Sequence, residues 1–196
     1  MNEALMVSNV LLWIAVLVLL VAVIALSRQI GILYERVAPM GALVMDTGPK
    51  PGDLAPTFEL DALGGGRVRL GGVQPRSTLI FFLSPTCPVC KKLLPILKSI
   101  SVSEGKWLEL IFASDGDRPE QVAFYRKAGL GDFPYVLSTE LGMTFKVGRL
   151  PYAVLIGEDG KVRAKGLVNS REQIESLFAA KELGVASVQD FIDQRA

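Results

Sequence analysis

Histidine is missing from this sequence altogether, and cysteine occurs only twice. Without histidine there is no imidazole general base and no Ser-His or Cys-His catalytic pair. The commonest side-chain ligand for transition metals is gone as well. Two cysteines cannot furnish the four Cys or His ligands of a structural zinc site, so one molecule cannot close such a site on its own. An excess of either charge is also lacking. The 21 Lys and Arg against 20 Asp and Glu leave +1, which gives no basic field for nucleic acid. No internal repeat or low-complexity tract interrupts the chain. What remains is a chain of 196 residues, half of them apolar, enough for one domain with a buried core plus appendages.

The apolar residues are unevenly spread. From Ala4 to Leu26 no side chain is charged, and Val10 to Leu26 is unbroken apolar. At 1.5 Å per residue this stretch reaches about 34 Å, enough to cross a hydrocarbon core of about 30 Å. A core helix would show a polar face, and a cleaved signal peptide would carry Lys or Arg before a shorter apolar run. An uncleaved transmembrane anchor over residues 1–27 is the favoured reading. Arg28 and Arg36 follow the span, partly offset by Glu35. Counted naively, they would keep the rest of the chain in the cytoplasm, a weak bias that long domains override.

Residues 28–51 read as a juxtamembrane helix and linker. Ile30, Leu33 and Val37 recur at helical spacing, which carries the helix to about Arg36. Pro39, Gly41, Gly48, Pro49, Pro51 and Gly52 then punctuate the chain. A folded domain is predicted over residues 52–183, with a tail of unassigned role over 184–196. Within the domain, "PTFELDALGGGRVRL" predicts two short strands around a Gly-rich turn. "STLIFFLS" and "WLELIFAS" are apolar runs of strand length, as for strands covered on both faces. "CPVCKKLLPILKSISV" predicts a helix from about Cys87, with Leu93, Leu94, Leu97 and Ile100 inward. "DRPEQVAFYRKAG" predicts another, capped by Asp117 and stopped by Gly129. "PYVLS" predicts a strand, "TELGMTFKV" a short helix, and "YAVLIGEDGKVRAKG" a hairpin turning at Asp159-Gly160. "REQIESLFAAKEL" predicts a last helix behind Ser170, with Ile174, Leu177 and Phe178 inward. Strands alternating with helices and a closing hairpin argue an α/β fold, a mixed sheet flanked by helices.

Both cysteines fall where the first buried strand runs into its helix, in "LSPTCPVCKKLLP". Cys87 would stand at the helix mouth, facing unpaired backbone N–H groups and the positive end of the helix dipole, with Cys90 one turn deeper. A thiolate is favoured there, so Cys87 is the candidate attacking sulfur and Cys90 the resolving one. Pro88 fits the first helical turn, where its missing N–H is not needed. A CxxC between a buried strand and an amphipathic helix points to a thioredoxin-like redox fold. "GRLPYAVLI" adds Pro151 just before a buried strand.

Together "PGDLAPTFEL", "FFLSPTCPVCKKLLP", "LPYAVLI" and the anchor make the chain resemble the redoxin/TlpA-type branch of thioredoxin-like proteins. Within that branch they resemble the MauD family of methylamine utilization proteins. The resemblance spans roughly Val10 to Leu183. It implies a cis bond before Pro151, with Leu150, Pro151 and Pro88 framing an extended substrate segment beside the thiols. It also implies a single-pass protein of the inner membrane with its thioredoxin domain in the periplasm. There it would act in maturation of the disulfide-dense small subunit of methylamine dehydrogenase, with a membrane redox partner as a second contact. No cofactor beyond the Cys87–Cys90 disulfide and no metal is expected. The pattern departs from thioredoxins at Phe81, which replaces a buried aspartate six residues before the first cysteine. "SPT" replaces a tryptophan, Pro88-Val89 replaces Gly-Pro, and Lys91 and Lys92 read as solvated. "APTFEL" is shared with peroxiredoxins, but Ile80 stands where their pattern needs proline. Thiol–disulfide exchange is therefore the expected activity. An assembly scaffold with secondary cysteines is the alternative, and a generic TlpA-type reductase or a peroxidase ranks lower. A partner rich in disulfides belongs in an oxidising compartment, which favours N-in, C-out over the two-arginine bias.

Overall fold

The computed structural model of the chain describes residues 2–36 and 48–183, in two units, Met1–Met45 and Asp46–Ala196. The expected linker residues Pro39 and Gly41 and the tail 184–196 lie outside the described residues. The described residues of the first unit form one helix, α1 (Asn2–Arg36), continuing to Arg36 as the spacing of Ile30 and Leu33 predicts. Its stretch Met6–Ile24 is long and apolar enough to cross a membrane, and none of it is buried.

Among its described residues the second unit holds eleven elements. They run β1 (Phe58–Asp61), β2 (Arg67–Leu70), β3 (Ser77–Phe82), α2 (Pro88–Glu104), β4 (Leu108–Ser114), α3 (Arg118–Lys127), β5 (Tyr135–Leu137), α4 (Thr139–Thr144), β6 (Tyr152–Ile156), β7 (Val162–Leu167) and α5 (Arg171–Leu183). β1 and β2 pair as an antiparallel ribbon. The other five strands form one sheet in the order β5-β4-β3-β6-β7. β3, β4 and β5 run parallel, while β6 is antiparallel to both β3 and β7. This is the mixed sheet that the alternation of strands and helices predicts, in the thioredoxin-like form expected from the CxxC.

All six residues of β3 are buried, because both of its faces are covered. The two-residue period of a strand sends them alternately to two cores. Leu79 and Phe81 join Leu93, Leu97 and Ile100 of α2 and Ile174 and Leu177 of α5 on one face. Ile80 and Phe82 join Leu70, Leu141, Phe145 and Val154 on the other. Each large apolar side chain so buried contributes about 1.5–3 kcal/mol, and the central strand shares in both cores.

The turns follow their chemistry with one exception. Gly160 has φ +77, and a Cβ there would stand 2.6 Å from the Gly72 carbonyl oxygen, so only glycine fits the β6–β7 turn. Ser170 caps α5 by accepting from the Gln173 N–H at 3.4 Å, and Gly129, at φ +59, follows the end of α3. Asp117 occupies the N-cap position of α3, but its side chain makes no capping hydrogen bond. The topology fixes where a site forms. Parallel β3, β4 and β5 end at one pole of the sheet. Antiparallel β6 begins there, with Tyr152 opposite Phe82.

Candidate active site

At that pole the chain leaves β3 through a tightly bonded loop. The Leu83 N–H donates to the Ala113 carbonyl at 3.0 Å, the last rung beside β4, and the Cys87 N–H donates to the Ser84 carbonyl at 3.1 Å. Between them the Ser84 and Thr86 hydroxyls hydrogen-bond at 2.9 Å, and the Thr86 N–H donates to Ser84 Oγ at 3.3 Å. Cys87 is the N-cap of α2, with extended backbone, and Pro88 follows in the first turn. The Cys87 Sγ accepts from the Cys90 N–H at 3.1 Å. The two cysteines form a disulfide across 5.3 Å between Cα atoms, as residues three apart on one helix face allow. Cys87 is half-buried and Cys90 fully buried.

This asymmetry defines the chemistry available. The amide and helix terminus that face Cys87 Sγ favour negative charge there once the bond opens, and the first turn of α2 carries no acidic residue to oppose them. Cys90 instead lies in an apolar cluster with Leu79, Phe81, Leu93 and Phe112. Phe81 packs edge-to-face on Phe112, with ring centres 6.1 Å apart, where thioredoxins carry a carboxylate. Leu150 and Pro151 stand at the start of β6, at the same pole, and the peptide bond between them is cis. Leu150 is exposed. Pro151 is buried, and its carbonyl accepts from the Val168 N–H at 3.2 Å. Pro88 and Val89 are exposed between the cysteines, and Lys91 and Lys92 are exposed after them. The topology thus places the five residues named from the sequence toward one pole of the sheet. No cluster of three or more His, Cys, Asp or Glu able to hold a metal occurs among the described residues.

Sequence reading missed a buried polar group beneath the loop. Ser114 Oγ donates to the Leu83 carbonyl at 2.9 Å, and the Tyr135 hydroxyl donates to Gln121 Oε1 at 2.6 Å. Gln121 Nε2 donates in turn to the Asp115 carbonyl. Burial pushes the Tyr135 phenol up to about 12, with the nearby Ser114 hydroxyl partly opposing. The available signals were a serine closing the apolar run "WLELIFAS" and a glutamine near the start of the helix in "DRPEQVAFYRKAG".

Residues 50–181 match the Redoxin family. The methylamine utilization protein MauD of Paracoccus versutus is 48% identical over 188 residues, covering 96% of this chain and 94% of that protein. The chain belongs to the MauD family. More distantly, the thiol-disulfide oxidoreductase ResA of Bacillus cereus is 30% identical over 130 residues, covering 63% of this chain and 74% of its own. Among solved structures, the exposed lipoprotein thioredoxin Etrx1 of Streptococcus pneumoniae superposes with TM-score 0.57 at 19% identity. It covers 65% of this chain and 99% of its own, a likeness of fold. This MauD-family chain is a thiol–disulfide oxidoreductase: its redoxin domain presents a cysteine pair in bonding geometry at the helix mouth.

Proposed function

We propose that the chain exchanges disulfides through Cys87 with the small subunit of methylamine dehydrogenase during that subunit's maturation, on the periplasmic side of the inner membrane. The carrying observation is the half-buried Cys87 sulfur at the N-terminus of α2, bonded to a Cys90 that solvent does not reach. Membership of the methylamine utilization family supports the choice of partner. In the forward step a substrate thiolate attacks Cys87 Sγ of the disulfide. The new bond joins substrate to Cys87, and Cys90 leaves with the electron pair and takes up a proton. A second substrate thiolate then attacks the mixed disulfide and releases Cys87. The substrate is oxidised by two electrons and the pair is reduced to the dithiol, which a membrane redox partner restores. The reverse sequence reduces the substrate by the same atoms. Pro88, Leu150 and Pro151 form the rim against which an extended substrate segment lies. The disulfide itself is the only redox group the reaction uses.

Trapping tests this directly. In cells making the subunit, Cys90→Ser is expected to accumulate a mixed disulfide between Cys87 and the subunit. Cys87→Ser is expected to accumulate none. A Cys87→Ser, Cys90→Ser double variant that restores full subunit maturation would sink the exchange reading and leave a scaffold.

A further inference from the structure

We propose that the buried Ser114 hydroxyl, backed by Tyr135 and Gln121, is a positioning group for the disulfide: it fixes the Leu83 carbonyl and so holds the loop that presents Cys87 to Cys90. The inference rests on the exchange reading of the cysteine pair.

The β3–β4 ladder ends at Phe82 opposite Ala113. One residue on, Leu83 still donates to Ala113, but β4 is already turning into the exposed residues Asp115, Gly116 and Asp117. A parallel ladder would next offer a backbone N–H to the Leu83 carbonyl. Here the Ser114 hydroxyl supplies the donor, at 2.9 Å and buried. This is the last cross-strand hydrogen bond after β3 before the cysteines, and local hydrogen bonds from Ser84 then span the loop to Cys87. Ser84 ties to Thr86, and the Ser84 carbonyl receives the Cys87 N–H. Behind Ser114, both ends of the Gln121 side-chain amide are used, one by the Tyr135 hydroxyl and one by the Asp115 carbonyl. The cluster therefore holds the loop after β4 as well as the loop after β3. Buried polar side chains are few among the described residues, and two of the four, Ser114 and Gln121, lie here. Apolar side chains would fill the same space without desolvating polar groups, so a satisfied cluster at this place argues for fixed geometry.

Fixed geometry has a redox consequence. Closing the Cys87–Cys90 bond is an intramolecular reaction, favoured in proportion to the effective concentration of one sulfur at the other. Anchoring the loop raises that concentration and favours the disulfide. Without the Ser114 hydroxyl the loop is looser, and the equilibrium disulfide + 2 glutathione ⇌ dithiol + glutathione disulfide moves to the right.

The test equilibrates the detergent-solubilised full chain with graded glutathione redox buffers. Ser114→Ala is expected to raise the reduction equilibrium constant by up to about fivefold, the worth of one hydrogen bond made fully in the disulfide form and loosened in the dithiol. Tyr135→Phe should move it the same way by less, and Ser114→Thr, which keeps the hydroxyl, should stay within about twofold of wild type. Ile174→Val, buried on α5, serves as a control for loss of melting temperature. Shifts for Ser114→Ala and Tyr135→Phe no larger than the control's at equal melting loss would overturn the inference. A Ser114→Thr shift as large as that of Ser114→Ala would do the same. Should Ser114→Ala not fold, an unshifted Tyr135→Phe overturns it alone. A wild type that never forms a reducible Cys87–Cys90 bond removes the exchange reading together with this one. A wild type and a Ser114→Ala that titrate identically remove only this one.

Discussion

Two sulfurs three residues apart are chemically unequal here because one caps a helix and the other lies inside it. The Cys87 sulfur meets the Cys90 amide and solvent, whereas Cys90 is fully buried within an apolar cluster. In the reduced full chain, iodoacetamide at neutral pH is therefore expected to modify Cys87 at least tenfold faster than Cys90. Peptide mapping of the alkylated product checks it, and equal rates would contradict the placement. Tyr135 supplies a second expectation. Its ordinary value is 10.0, and burial raises it to about 12 in the folded state. The folded phenol holds its proton more tightly than the unfolded one. Its contribution to stability is thus intact below about pH 10 and is lost as pH rises toward 12. Urea unfolding from about pH 9 to 11 should show that decline, and Tyr135→Phe should flatten it. At neutral pH the same substitution should cost about 1–3 kcal/mol, because it leaves Gln121 Oε1 buried without its donor.

Elements form here where local chemistry and two-sided burial agree. β3 and β4 were legible as short apolar runs because sheets covered on both faces have no polar alternation to blur. α2 was legible from the stripe Leu93, Leu94, Leu97 and Ile100, all buried as expected. The turn at Gly160 was legible as Asp-Gly after a strand. What the sequence did not disclose depends on register between elements distant in the chain. Ser114, Gln121 and Tyr135 meet only because β4, β5 and α3 converge at one pole, and no local pattern encodes that. Asp117 illustrates the converse, a residue of the right type at the right position whose side chain makes no cap bond. Two glycines separate conformational need from tolerance. Gly160→Ala meets both a positive φ and the Gly72 carbonyl, and should destabilise by about 2–3 kcal/mol. Gly142, inside α4, has open space at its Cβ position and ordinary helical backbone. Gly142→Ala should stabilise by about 0.5–1 kcal/mol. Urea midpoints of the two variants read the contrast, and a Gly160→Ala no less stable than wild type would refute the turn argument.

At the scale of the whole molecule, an apolar helix and a redoxin domain share one chain, and each constrains what the other can do. The stretch Met6–Ile24 exposes large apolar residues along its length, including Trp13, Leu17 and Leu20. In water that surface is unfavourable at about 25 cal/mol per Å², whereas in a bilayer its backbone bonds are already satisfied and its side chains are at home. If the helix anchors the chain as proposed, the domain would sample partners near the bilayer surface, and a redox partner held in the same membrane would meet it more often than a freely diffusing enzyme would. If that coupling matters, breaking the anchor should leave Cys87 chemistry intact and slow only its reoxidation. Val16→Arg with Leu19→Arg places two charges near the centre of the span, at about 2.5–3.5 kcal/mol each on insertion scales. The doubly substituted chain is expected in the alkaline-carbonate-extractable fraction, while wild type stays in the pellet. Its rate of alkylation at Cys87 should match wild type, and its disulfide should reappear more slowly in cells after a reductant pulse. Equal recovery by the extractable chain would mean that the helix contributes location without contributing to redox turnover.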